Sequence, residues 1–527
     1  MRHFILVTAV IFCKDVASQA TVYPTVQTKV GTIRGLAATD GDYDKYLGIP
    51  YAKVNLKNPF GLHLPQPPFV DVFDAFKEAV TCVQKDNPNI AMDCLQMNIY
   101  VPRNASMNNT LPVLMFIHGG GFDNGWSSDC GPKFLVRHDV ILVNIHYRLG
   151  PYGFMCLDIP EVPGNQGLRD ALEAIKWVKE NIDAFGGDPD KITIMGHSAG
   201  GFMVDYLLRF SEPNLFDKVI LISGAYSHYR SPDLPNYQIA IKMAKELGFN
   251  TTDSVEAIEF LTTVEPLKVL SSFSLEEDGM GPCIEKQFPS VPGLVTEDPD
   301  KIKMPNVKTT PILLGYSDAE FGDMKPLYST LYTEVLFEEM IDDYLAITDD
   351  KQDISTILRR FYMGDEPDFE SDDSRQFGYF VDDLCIVHSL ERAIRKYLEN
   401  GASEVYRFMF SYIGGRYSSE LPVTEIEGAG HISVPNYLFD YDYFDPNITA
   451  EDQLVIDRLT KMWTNFVKYG NPTPETSELL PINWPQVGPK ASYYLNFGTE
   501  LKVEKRPFGE RMAFLDLTYM FTKNSNI

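Results

Sequence analysis

The chain has 527 residues, 44% of them apolar, enough to bury a large core in one α/β unit or in several domains. Its formal net charge of −27 repels phosphate backbones and anionic lipid, which argues against nucleic acid or a membrane surface as partner. The same charge keeps a protein soluble in an extracellular fluid. No internal repeat, low-complexity tract or linker interrupts the sequence, so one compact domain over 21–527 is expected.

Met1, Arg2 and His3 make a short basic start, and 4–13 is an apolar run too short to span a bilayer. Small residues follow at Ala17, Ser18 and Ala20. This is the layout of a signal peptide over 1–20, and an exported, extracellular product is expected. Asn104, Asn108, Asn250 and Asn447 each begin an Asn-x-Ser/Thr triplet that accepts a glycan in the secretory pathway. Asn471 does not qualify, because Pro472 follows it. The tail from Lys523 to Ile527 carries no retrieval signal and no lipid-anchor pattern, so release without a membrane anchor is expected.

Six cysteines are left once Cys13 is removed with the leader. Cys82 and Cys94 are near enough in sequence to close a small surface loop, worth roughly 3 kcal/mol by chain entropy. Cys130, Cys156, Cys283 and Cys385 lack the spacing of metal ligands and read equally as buried thiols or as a second bridge.

Strands are predicted at 113–117, 140–145, 192–195, 219–222, 312–314, 405–410 and 493–495, which are apolar runs of β-branched character. Between them, Leu168, Leu172, Ile175, Val178 and Ile182 recur at helical spacing and stop before Gly186 and Gly187. Later, Leu459, Met462, Trp463, Phe466 and Val467 mark another helix, ended by Gly470 with Pro472 beyond it. Alternating strands and helices of this kind form a mostly parallel sheet covered on both faces.

Residues 196–200 read Gly196-His197-Ser198-Ala199-Gly200, between a β-rich run and an apolar helix. A serine held at the tip of a sharp strand-to-helix turn needs glycine on both sides to escape steric collision. The helix that follows directs its amide donors at the reacting centre. A second set of donors is expected from His118-Gly119-Gly120-Gly121-Phe122, directly after the strand at 113–117. Gly120 and Gly121, with the Ala199 amide, would hold an oxyanion; losing one such donor costs about 3 kcal/mol of barrier.

Serine needs a base, and on this kind of turn the chain order is serine, acid, histidine. Only His388 and His431 lie far enough downstream. His388 falls within a helical stretch and reads as packing, whereas His431 follows Gly428-Ala429-Gly430 in a loop. For the acid, Glu320 lies just past the strand at 312–314, with Asp318 and Asp323 as competitors.

In order along the chain, the blocks at 46–52, 93–100, 118–122, 147–150, 164–170, 185–189, 463–466 and 470–474 resemble those of the type-B carboxylesterases, among them secreted insect carboxylesterases. The resemblance implies an α/β-hydrolase fold and a serine carboxylic ester hydrolase with no metal or organic cofactor. That family's acid stands five residues after a Leu-Leu-Gly block; Leu313-Leu314-Gly315 implies Glu320 rather than Asp318. Its histidine block resembles 428–431 and its first disulfide resembles Cys82–Cys94, while no counterpart of its second is clear around Cys283.

Three departures bear on the substrate. His197 stands where many members have an acid and where juvenile-hormone esterases typically have Gln. The segment 83–93 contains no Trp, against the aromatic platform that choline esters require. Ile432 and Val434 replace a glycine and an acid behind the histidine, which alters the pocket wall. The expected substrate is a small apolar, uncharged ester of xenobiotic, dietary or odorant type. The alternatives are an ester-sequestering protein of slow turnover and a non-catalytic adhesion or binding homologue.

Overall fold

Each of the seven apolar runs becomes a strand, and together they form the parallel centre of one sheet. The computed structural model describes residues 23–524 except 86, 88, 227–237, 275–279, 322–333, 346–350, 365–372, 418–427, 445–446 and 489–490. The expected signal peptide at 1–20 and Asp323 lie outside the described residues.

In chain order the main sheet is built from Leu36–Ala37 (β1), Tyr43–Pro50 (β2), Gln96–Pro102 (β3), Leu111–Ile117 (β4), Ile141–Ile145 (β5) and Gly187–His197 (β6). It continues with Lys218–Ile222 (β7), Ile312–Ser317 (β8), Val405–Phe410 (β9), Tyr493–Phe497 (β10) and Leu501–Lys505 (β11). The spatial order is β11-β10-β9-β8-β7-β6-β4-β5-β3-β2-β1. From β10 through to β5 every neighbour pair is parallel. The additional strands β1, β2, β3 and β11 pair antiparallel at the two margins.

The pleat sorts the core into two layers. Val113, Met115 and Ile117 of β4 face one cluster, which also takes Leu168, Ile175 and Val178 of the helix Gln166–Asn181 (α1) and Met203, Val204 and Leu207 of Ala199–Phe210 (α2). Leu114 and Phe116 face the other, packed with Val434 of Ser433–Leu438 (α3) and with Leu459, Met462, Trp463 and Phe466 of Ala450–Tyr469 (α4). Both predicted apolar stripes are therefore core. Helix α4 is capped by the Thr449 hydroxyl, which accepts from the Asp452 amide, and it ends at Gly470 with φ +69°.

Covalent links add to this frame. Cys82 and Cys94 are bonded, with Cα atoms 5.0 Å apart. Cys156 and Cys283 are bonded as well, which settles the open choice in favour of a second bridge and leaves Cys130 and Cys385 as buried thiols. They are 127 residues apart, and the side chain of Asn165 ties the two loops together. Asn165 Nδ2 donates to the Cys283 carbonyl at 2.8 Å, and its Oδ1 accepts from the Cys283 amide at 2.9 Å. A pairing set by such a distant loop has no local signal in the sequence. Among the described residues no helix is long and apolar enough to cross a membrane.

Candidate active site

Five connections from the carboxyl ends of adjacent parallel strands converge on one place, the edge where open α/β sheets hold their ligands. Ser198 follows β6 and opens α2, with φ +55° and ψ −125°, a conformation that a residue with a Cβ rarely adopts. Its amide donates to the Ile222 carbonyl at 2.9 Å. The flanking glycines are required sterically. A Cβ on Gly196 would sit 2.1 Å from the Gly200 oxygen, and one on Gly200 would sit 2.1 Å from the Ile117 oxygen.

Residues 428–431 lie along 318–320. The Ala319 amide donates to the Ala429 carbonyl at 3.1 Å, and the His431 amide donates to the Glu320 carbonyl at 2.7 Å. The side chains continue the pairing, with Glu320 Oε2 2.5 Å from His431 Nδ1. Glu320 is 0% exposed. Its second oxygen, Oε1, accepts from the Ser317 amide and the Ser223 hydroxyl, both at 2.7 Å. Three donors thus surround the carboxylate in place of water, which answers the cost of burying its charge. On the far face of the His431 ring, Phe321 stacks at 5.1 Å between centroids.

Asp318 is placed elsewhere. Its Oδ1 accepts from the Ala429 amide at 2.7 Å, so it fastens the histidine loop rather than the imidazole. Burial pushes its pKa up to about 6 despite that hydrogen bond. His388 is buried 3.1 Å from Asp516 Oδ1, on the helix His388–Glu399, and does not reach Ser198.

The glycine loop after β4 passes directly over the serine. A Cβ on Gly119 would lie 2.7 Å from Ser198 Cβ. Gly120 and Gly121 have φ of +113° and +62°, and a Cβ on Gly120 would strike the Asn124 carbonyl at 2.1 Å. Gln84, inside the Cys82–Cys94 loop, clamps the far end of this segment. It donates to the Gly125 carbonyl and accepts from the Gly125 amide, each at 3.0 Å. His118 stacks on Tyr147 at 4.4 Å, and burial lowers its pKa to about 3, so it stays neutral.

Ser198, Ala199, Gly120, Gly121 and His431 line one cavity of about 740 Å³. Its walls are mostly apolar: Phe116, Phe122, Phe202, Phe321, Ile386 and Tyr443 among them. Ile432 faces this cavity, while Val434 is buried in the core behind it. The lining carboxylate Asp129 is engaged by Trp126, whose indole N–H donates to it at 2.8 Å. The sequence reading missed Ser223, Phe321 and Gln84, each of which acts on a residue far along the chain. Asn104, Asn108, Asn250 and Asn447 are all exposed and lie outside strands and helices.

A serine on a strained strand-to-helix turn at the carboxyl edge of a parallel sheet, beside a histidine paired with a buried acid, is the arrangement of an α/β-hydrolase. The profile of the carboxylesterase family matches residues 22–515, and the chain belongs to that family. It is 28% identical to a juvenile hormone esterase of Tribolium castaneum, across 97% of this chain and 91% of that one. It is 30% identical to the esterase cest-33 of Caenorhabditis elegans, over 89% and 90% of the two chains. The crystal structure of juvenile hormone esterase from Manduca sexta, with OTFP covalently attached, superposes with a TM-score of 0.83 at 28% identity, covering 94% of this chain and 100% of that chain.

Proposed function

We propose that the protein is a secreted serine carboxylesterase that hydrolyses apolar, uncharged carboxylic esters through an acyl-enzyme on Ser198. The observation that carries this reading is the His431–Glu320 pair sharing one largely apolar cavity with Ser198. With Nδ1 held by Glu320, the other ring nitrogen of His431 is the one left to take the Ser198 proton as its oxygen attacks the ester carbonyl. The Glu320 carboxylate stabilises the imidazolium that results. The amides of Gly120, Gly121 and Ala199 hold the oxyanion. His431 then protonates the departing alcohol and activates the water that releases the acid. Atoms balance as ester plus water giving alcohol plus acid.

Aromatic and aliphatic walls favour a neutral ester, since a charged group would lose its hydration there without a partner. That the Manduca sexta protein carries covalently attached OTFP is in keeping with a nucleophile in a protein of this fold. Two disulfides and four exposed sequons fit an oxidising secretory route. The mature chain is a single domain beginning near residue 21, glycosylated at Asn104, Asn108, Asn250 and Asn447.

Expression of the full chain in a eukaryotic secretory host tests both parts. The medium should contain a glycosidase-sensitive protein starting near residue 21 that hydrolyses p-nitrophenyl esters with an initial burst. Ser198→Ala should lower kcat by about ten-thousand-fold or more while the fold persists. Retained hydrolysis in that variant would refute the assignment, and protein held inside the cell would refute secretion.

A further inference from the structure

His197 stands immediately before Ser198, at the end of β6, and no step above uses its side chain. The residue is only 7% exposed, and its Nε2 lies 2.8 Å from the backbone carbonyl of His431. A carbonyl only accepts, so Nε2 carries the proton and donates it. Burial, with His431 close by, lowers the His197 pKa to about 3, which keeps the ring neutral. The two imidazoles are tilted by 46° with centroids 4.7 Å apart. On the opposite flank, a Cβ on Gly119 would come within 3.3 Å of His197 Nδ1. The ring is wedged between the glycine loop and the histidine loop.

Residue 431 is consequently held at three points. Glu320 takes the ring through Nδ1 and the backbone amide through its carbonyl, and His197 takes the backbone carbonyl. The first two contacts come from one residue on one side. Only the third ties His431 to the strand that bears Ser198.

We infer that His197 is a positioning residue: its Nε2–H fixes the backbone of His431 to β6, so that base and nucleophile keep one spacing through both halves of acyl transfer. This rests on the esterase reading proposed above. The contact acts on geometry and not on the substrate, so its loss should slow bond formation without weakening binding.

The test compares His197→Phe, which keeps the ring without a donor, with His197→Gln, whose amide N–H reaches a similar distance. In burst kinetics with a p-nitrophenyl ester, His197→Phe should reduce the acylation rate constant roughly tenfold. Substrate affinity in the same burst should stay within about twofold, and His197→Gln should recover most of the lost rate. Should His197→Phe fail to fold, His197→Gln against His197→Met decides on the same criterion, because a thioether cannot donate to the carbonyl. An unaltered acylation rate in His197→Phe, a loss carried wholly by affinity, or a glutamine no better than phenylalanine or methionine would overturn the inference. No hydrolysis by the wild-type protein would instead remove the esterase reading.

Discussion

Glu320 and Asp318 are the same kind of acid two positions apart, and the turn after β8 separates their work. Glu320 faces the imidazole, whereas Asp318 holds the loop that carries it. Glu320→Gln should therefore lower kcat by about a thousandfold or more, because the amide no longer balances the imidazolium. Asp318→Asn should leave kcat within a few-fold and change stability instead. The Asp318 pKa of about 6 exceeds that of an unfolded aspartate, so its contribution falls as pH rises from about 4 through 6. Asparagine keeps the acceptor without the charge, and this variant should melt roughly 1–2 °C higher at pH 7.5 but not at pH 4. Thermal melts at the two pH values check it. Residue order alone could not separate the two acids, because the difference is the direction each takes out of the turn; only the spacing from Leu313-Leu314-Gly315 favoured Glu320. Ser223 could not be read at all, since its partner lies 97 residues away.

At the scale of elements, the strands legible in the sequence were those whose residues are predominantly apolar, whereas β3, buried along most of its length, was masked by Gln96 and Asn98. Strand β11, with Lys502 and Lys505 exposed, has no apolar run and pairs at the sheet margin. Short edge strands such as β1 carry no periodicity to detect. The Cys156–Cys283 bridge escaped for a similar reason, being set by Asn165 at the start of α1. The same helix is pinned from outside by His63, whose Nδ1 lies 3.1 Å from Asp170 Oδ1. Burial pulls the His63 pKa down, but hydrogen bonds to Asp170 and Glu173 outweigh it and carry it up to about 9. Its folded value lies above the unfolded 6.5, so its stabilisation is complete below pH 6.5 and lost as pH rises through 9. His63→Ala should melt well below wild type at pH 6, with the gap closing by pH 9.5. An equal gap at both pH values would show that packing, not charge, is what His63 supplies.

Across the whole molecule, the parallel sheet turns distant stretches of sequence into one site. The loops after β4, β6, β7, β8 and β9 meet at one edge, bringing together residues from Gly119 to His431. The glycine motifs at 118–121 and 196–200 were visible beforehand because close backbone approach demands them. The cavity wall was not, since Trp126, Ile386 and Tyr443 come together only in three dimensions. A net charge of −27 spread over the chain leaves this cavity largely apolar, which separates the demands of solubility from those of the ester. The most direct test of the central claim is mass spectrometry of the protein after brief exposure to an organophosphate ester. One adduct per chain is expected, on the peptide containing Ser198, with loss of hydrolysis in step with labelling and no adduct in Ser198→Ala. Complete inactivation with the label on another residue, or undiminished hydrolysis by fully labelled protein, would contradict it.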